Sequence, residues 1–238
     1  MKNTAIIIPT YNEIDNIEKL IIEIKKKVPD AEVFIIDDSK EKDIEKLVNE
    51  KNINVKYFYR GKKLGRGSAV IFGLKKALEE NKYNIFLEMD ADFSHNPNEL
   101  MRNLEIFIKE NLDLLISSRY LKNSKIINWS LSRRILSKLS NFLARHLLNI
   151  SIKDFTNGYR IYSARSVKKI ISTCGNIGDG FIVLSEIIIV LSNNNFKISE
   201  IDTVFINRER GASSVNLRLV LASLFGLFKL FFIKNRLK

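Results

Sequence analysis

Two aspartates, Asp90 and Asp92, stand one residue apart in "EMDADFSHNP" (88–97), directly after the apolar run Ile85-Phe86-Leu87. In an extended chain residues i and i+2 point to the same side, and like charges held that close raise each other's pKa. A cation between them would relieve the repulsion. Two hard oxygen ligands with little other protein coordination suit Mg2+ or Mn2+, which draw further ligands from water and from a substrate's phosphates. The rival reading is a helix cap, with Asp92 or Ser94 capping the helix that Pro97 starts. A cap accounts for one side chain, not for both carboxylates at a strand end.

Other clusters share this placement. Asp37-Asp38 follow "EVFII" (32–36), where a carboxylate can accept from a ribose or base or simply turn the chain. Pro9-Thr10-Tyr11-Asn12-Glu13 follow "TAIII" (4–8). Tyr11 offers a ring for stacking on a base and Glu13 an acceptor, while Thr10 or Asn12 can start the next helix. Arg119 closes a strand end, and Arg208-Glu209-Arg210 follow the last strand. Arginines there can hold phosphate oxygens bidentately or form ordinary surface ion pairs. His95 and His146 are the only histidines. Neither has a Ser or Cys arranged for triad chemistry; His95 could ligate the metal or touch a phosphate, and reads first as a solvent-facing turn residue.

These residues need elements to position them. The pattern predicts strands at 4–8, 32–36, 55–59, 84–89 and 113–118, alternating with helices over 14–27, 43–50, 65–80 and from Pro97 to about 110. Short apolar strands between helices predict an α/β fold, a mostly parallel sheet covered by helices on both faces. Ligands of such sheets sit at the carboxyl ends of the strands, where the polar clusters fall. "GRGSAVIFG" lacks the G-x-G-x-x-G spacing and follows the third strand, so Gly65 and Gly67 are expected to allow close backbone approach. Residues 129–148 repeat apolar positions with Arg133, Arg134, Lys138 and Arg145 between them, a basic amphipathic helix. A loop and short strand (154–163), a helix (181–192) and an edge strand (198–208) follow. The tail, about 214–236, is apolar but interrupted, with Arg218, Lys229 and Arg236 within about 20° on a helix. That pattern fits a helix lying in a membrane interface or one packed on the sheet.

Charge divides the 238-residue chain. Residues 1–118 carry 19 Lys+Arg against 21 Asp+Glu, and residues 119–238 carry 20 against 6. Within 119–170 Asp154 is the one acid among twelve Lys and Arg. The second half is expected to meet something anionic. A nucleic-acid-binding protein would explain this surplus but not the acidic strand ends, so no nucleic acid is expected. A single cysteine, Cys174, excludes an intrachain disulfide framework. "MKNTAIIIPT" is too short an apolar run for a signal peptide, and no stretch of ~18 uncharged apolar residues predicts a spanning helix.

The ordered series "IIIPTYNEIDNI", "EVFIIDDS", "GRGSAVIFG", "MDADFSHNP", "ISSRY", "SRRILSKLSNFLAR", "DFTNGYRIYS" and "FINRERGASS" resembles the dolichyl-phosphate mannose synthases of glycosyltransferase family 2, over nearly the whole chain. The resemblance implies a GT-A fold with a catalytic domain over 1–213, its nucleotide-sugar half at 1–118 and acceptor half at 119–213, and a membrane-associating tail at 214–238. It implies inverting transfer of a hexose from a nucleotide sugar, GDP-mannose before a UDP-sugar, to a polyprenyl phosphate before a non-lipid acceptor; a basic nucleic-acid-binding or non-catalytic protein is the alternative of another class. The place would be the cytoplasmic face of an anionic membrane, with Mg2+ or Mn2+. By position, Pro9, Tyr11, Glu13, Ile36 and Asp38 would line the nucleotide. Asp90, Ala91 and Asp92 would sit at the diphosphate and metal, with Ser94 a further metal contact. Arg119 and Arg208 would bind phosphates, and Arg133 and Ser137 would face the lipid phosphate. Ser214 stands where the family usually has a lysine, with Arg210 near enough in sequence to take its place.

Overall fold

The computed structural model describes residues 3–178, 180, 182–207 and 226–237. The apolar runs of the first half become β1 (Thr4–Thr10), β2 (Glu32–Asp37), β3 (Lys56–Tyr59), β4 (Ile85–Glu88) and β5 (Leu114–Ser118). Between them lie α1 (Ile14–Lys27), α2 (Asp43–Glu50), α3 (Arg66–Glu79) and α4 (Leu100–Lys109), the last entered through a 3-10 turn at Pro97–Glu99. The second half adds β6 (Lys125–Ile127), α5 (Leu131–Leu148), β7 (Arg160–Ser163), α6 (Ala164–Thr173), α7 (Ile182–Asn193), β8 (Ile198–Asp202) and β9 (Val204–Ile206).

The main sheet has the order β3-β2-β1-β4-β7-β5-β8. β7 runs antiparallel to β4 and β5, and the sheet's other pairs are parallel. Alternation along β1 builds two cores. Ala5 and Ile7 face α3, α6 and α7, while Ile6 and Ile8 face α1, α2 and α4, as a strand's two-residue period requires. Gly73 lets α3 lie directly on the sheet, because a Cβ there would come within 2.6 Å of Ile7 and 2.9 Å of Ile36. Strand order runs backwards from β1 to β3 and resumes with β4 on the other side. The crevice between β1 and β4 is therefore the switch point where α/β sheets bind ligands.

Three features differ from the sequence reading. The single edge strand expected over 198–208 is broken at Thr203. β8 forms the edge of the main sheet, while β9 pairs with β6 in a separate two-stranded ribbon. Glu99 causes the break by accepting the Thr203 hydroxyl (2.5 Å) and the Val204 N–H (2.8 Å). β6 and α6 went unpredicted, although Ser163 caps α6 by accepting the Ser166 N–H at 3.1 Å. The amphipathic helix begins at Leu131 rather than 129. Ser130 is its N-cap, and Trp129 packs edge-on against Phe205 instead.

Residues 226–233 are helical. Leu227 and Leu230 are buried in the core beside α7, while Phe228 and Phe232 are exposed. Residues 208–225, with Arg208, Arg210, Ser214 and Arg218, lie outside the described residues. Among the described residues no helix is long and apolar enough to cross a membrane.

Candidate functional site

The ends of β1 and β2 are fixed by buried carboxylates. Asp37 accepts from the Thr10 hydroxyl (3.0 Å), the Ser39 N–H (3.0 Å) and the Tyr57 hydroxyl (2.8 Å), so it ties strand ends and turn together. Asp38 receives Arg60 as a fork, Nε at 2.5 Å and Nη2 at 2.7 Å, and takes the Leu64 N–H at 2.8 Å. Asp38 thereby anchors the glycine loop beside the crevice. Tyr11 is 42% exposed, with the Lys63 ammonium 4.2 Å from its ring centre. Glu13 accepts from the Asn16 side chain at 2.8 Å, and Pro9 is half-buried in β1. The Ile36 side chain is wholly in the core against Gly73, which leaves only its main chain to meet a nucleotide. Ala91 is likewise buried, which leaves its main chain to face a ligand.

Asp90 and Asp92 leave β4 at the switch point. Asp92 accepts the Ser94 N–H at 3.1 Å, turning the chain through Phe93 at φ +60°. Neither Asp92 nor Ser94 caps the following helix. Asn96 does, accepting the Asn98 N–H at 3.1 Å. Ser94 is buried, and its carbonyl accepts the Ile206 N–H. Asp90 meets Arg66, whose Nε donates at 2.7 Å. Glu88, one step earlier on the same face, is fully buried, and burial pushes its carboxyl above the usual range against the pull of Arg66 and Arg160.

His95 is not the solvent-facing residue expected from its turn. It is 2% exposed and stacks on Tyr159 with ring centres 5.1 Å apart. Nδ1 accepts the Asp90 N–H at 2.9 Å, so Nε2 carries the proton, facing the Asn157 side-chain oxygen at 3.0 Å. Burial holds the His95 pKa below its usual value, which keeps this neutral tautomer.

The chain of contacts continues. The Asn157 N–H donates to Asp154 at 3.0 Å. Asp154 receives Arg119 as a fork, Nε and Nη2 both at 2.8 Å, and also its backbone N–H at 2.9 Å. Burial works against the charge on Arg119, but Asp154 beside it raises its pKa, and Asp90 adds to that. Burial likewise pushes Asp154 up, yet Arg119 holds it below the usual carboxylate range. Arg119 is thus committed to Asp154, and only the rest of its guanidinium surface is open to a phosphate. It reaches a cleft of about 400 Å³ against α5, also lined by Tyr120, Arg134, Lys138, Arg145 and Lys153. Ser137 accepts the Tyr120 hydroxyl at 2.5 Å. Arg133 lies on the other side, its guanidinium 4.2 Å from the Trp129 ring centre and bonded to Asn207 at 3.0 Å.

Against known proteins, the profile described as Glycosyl transferase family 2 matches residues 5–171. The chain belongs to glycosyl transferase family 2. The polyprenol monophosphomannose synthase of Mycolicibacterium smegmatis is 32% identical over 219 residues, 90% of this chain and 82% of that one. The undecaprenyl-phosphate mannosyltransferase of Micrococcus luteus is 32% identical over 214 residues, 88% and 86%. Among solved structures, glucosyl-3-phosphoglycerate synthase from Mycobacterium tuberculosis, crystallised with Mn2+, UDP and glucosyl-3-phosphoglycerate, superposes with a TM-score of 0.65. Identity is 17%, over 95% of this chain and 80% of that one. The same enzyme with Mg2+ and UDP gives 0.64 at 16% identity, over 95% and 79%. This glycosyltransferase therefore has the expected GT-A fold.

Among the described residues no three His, Cys, Asp or Glu side chains gather to hold a metal. Two hard carboxylates beside an open crevice suit Mg2+ or Mn2+ completed by diphosphate oxygens and water, and do not suit a protein-enclosed zinc site. The glycosyltransferase also contains residues that sequence reasoning passed over: Arg60, Arg66, Glu88, Asp154 and Asn157. Two arginines in or beside the glycine loop, facing acidic strand ends, were the available signal for the first pair.

Proposed function

We propose that this glycosyltransferase moves mannose from GDP-mannose to a polyprenyl phosphate at a membrane surface, inverting the anomeric centre. The observation that carries the reading is the hydrogen-bonded line from Asp90 through His95, Asn157 and Asp154 to Arg119. It joins the acidic crevice, suited to a nucleotide diphosphate with its metal, to the basic cleft on α5, suited to a second phosphate. The two relatives named for polyprenol- and undecaprenyl-phosphate mannosyl transfer support mannose and a lipid acceptor.

Tyr11 and Glu13 receive the base, and Asp38 with Arg60 fixes the loop that closes over it. Asp90 and Asp92 would hold Mg2+ or Mn2+, with Ser94 as the expected further contact. When bound, that ion supplies Lewis-acid stabilisation of charge on the departing diphosphate. Arg119 and Arg208 share that phosphate-binding role. The cleft cations Arg134 and Lys138 orient the acceptor phosphate; Ser137 holds Tyr120 at the cleft wall, while Arg133, turned to Trp129 and Asn207, lies outside the cleft lining. A phosphate is already an anion near pH 7, so attack needs no strong general base. The neutral, fully engaged His95 fits that requirement.

The test is a panel of GDP-mannose, UDP-glucose and UDP-GlcNAc, each with Mn2+ or Mg2+ and either polyprenyl phosphate or 3-phosphoglycerate. Labelled lipid from GDP-mannose alone is expected. Labelled phosphoglycerate, or lipid labelled only from a UDP-sugar, would overturn the acceptor or the donor respectively.

A further inference from the structure

Arg66, the first residue of α3, fills the space beneath the aspartate pair. Its Nε donates to Asp90 at 2.7 Å and its Nη2 to the Gly158 carbonyl at 3.1 Å. Its Nη1 lies 3.8 Å from a Glu88 oxygen, too far for a hydrogen bond. That Nη1 and both Glu88 oxygens are buried and have no hydrogen-bond partner among the described residues. Buried polar atoms are ordinarily paired; the Tyr162 hydroxyl of β7, also buried and unpartnered, faces Glu88 as well, so two donors and two acceptors here mark interactions that this conformation leaves unmade. Position 158 is what admits the guanidinium, since a Cβ there would lie 1.9 Å from Nη2.

We propose that Arg66 is a movable counter-ion: when a divalent cation with a nucleoside diphosphate engages Asp90, the guanidinium turns from Asp90 onto Glu88. The inference rests on Asp90 and Asp92 being the metal ligands. A cation at Asp90 repels a guanidinium already bonded there. Displaced with no second anion, Arg66 would be a stranded buried charge, which is strongly unfavourable. Glu88 lies on the same face of the strand exit, two residues from Asp90, and offers the guanidinium two unoccupied oxygens. Arg66 thus neutralises Asp90 before the metal arrives and releases it afterwards. It is a positioning residue that tunes metal affinity through Asp90.

The test is Mn2+ binding to the purified full chain with GDP present, read from the paramagnetic resonance signal of free Mn2+. Glu88→Gln is expected to weaken Mn2+ binding about tenfold, the worth of one charge-assisted hydrogen bond. In an Arg66→Met background the same change is expected to alter affinity less than about twofold, because the coupling needs both partners. An equal loss with and without Arg66 would make Glu88 a remote charge only, and no loss at all would equally overturn the proposal. A wild-type chain that binds no Mn2+ with GDP overturns the metal assignment itself, and this inference with it. Circular dichroism checks each variant's fold. A crystal of the wild-type chain with Mn2+ and GDP decides independently of any variant. Arg66 within roughly 3 Å of Glu88 supports the switch, and Arg66 still on Asp90 beside bound Mn2+ refutes it.

Discussion

Asp90 and Asp92 are equal in the sequence and unequal in the structure. Asp90 accepts from Arg66 through its side chain and donates its N–H to His95, so it belongs to a buried network. Asp92 turns the chain locally by accepting from Ser94. The two amide substitutions should therefore separate chemistry from stability. Asp92→Asn is expected to lower transfer by ~10²-fold or more, the scale of losing a metal's charge stabilisation, with little change in unfolding free energy. Asp90→Asn is expected to lower transfer similarly and also to cost about 2 kcal/mol, because the Arg66 hydrogen bond loses its charged acceptor. Radiolabelled transfer assays beside urea unfolding check both. Equal stability loss in the two variants would mean that Arg66 does not depend on Asp90.

At the scale of elements, the proposed acceptor side rests on α5. Arg134, Lys138 and Arg145 turn toward the cleft with Arg119, and Phe142 borders it, while Leu131, Ile135 and Leu139 are exposed, as is most of Phe142. Reversing charge in the cleft, Arg134→Glu with Lys138→Glu, is expected to raise the KM for polyprenyl phosphate about tenfold or more, each cation contributing one charge-assisted contact. The Kd for GDP with Mn2+ should be unchanged. A parallel loss of GDP binding would place these cations on the donor instead. The helices α1 and α2 and the strands β1 to β5 were legible because apolar period and flanking turn residues agree over each segment. β6 was not, since three residues, Lys125–Ile127, carry no period and pair only with β9, some 80 positions away. The break between β8 and β9 was hidden for the same reason, depending on Glu99 from a distant turn. In the site, the paired carboxylates and the arginine at the β5 exit could be read directly. Their partners could not, because Arg66, Asn157 and Asp154 meet Asp90, His95 and Arg119 only after β7 inserts between β4 and β5. His95 was misread because a histidine beside Asn and Pro looks like a turn residue, while Tyr159 and Phe205 bury it.

Taken whole, the molecule is electrically lopsided: a weakly acidic first half and a second half with 20 Lys+Arg against 6 Asp+Glu. The exposed apolar side chains of α5 have counterparts in Phe228 and Phe232 of the tail, whose other face is buried through Leu227 and Leu230. Lys234 ties the two regions by donating to the Leu147 carbonyl at 2.8 Å. The described part of the tail thus packs on the domain through Leu227 and Leu230 and presents Phe228 and Phe232 outward. Apolar side chains flanked by cations match the boundary of an anionic bilayer, where each Lys or Arg is worth about 1 kcal/mol and inserted aromatic or aliphatic groups add apolar burial. The chain is therefore expected to float with liposomes containing anionic lipid at low salt and to be released as salt rises, because screening shortens the reach of each cation. Replacing Ile135 and Phe142 with serine should lower the salt concentration needed for release without altering GDP binding. Absence of flotation at low salt would reject the membrane reading. Flotation insensitive to both salt and the serine changes would reject α5 as the contacting element.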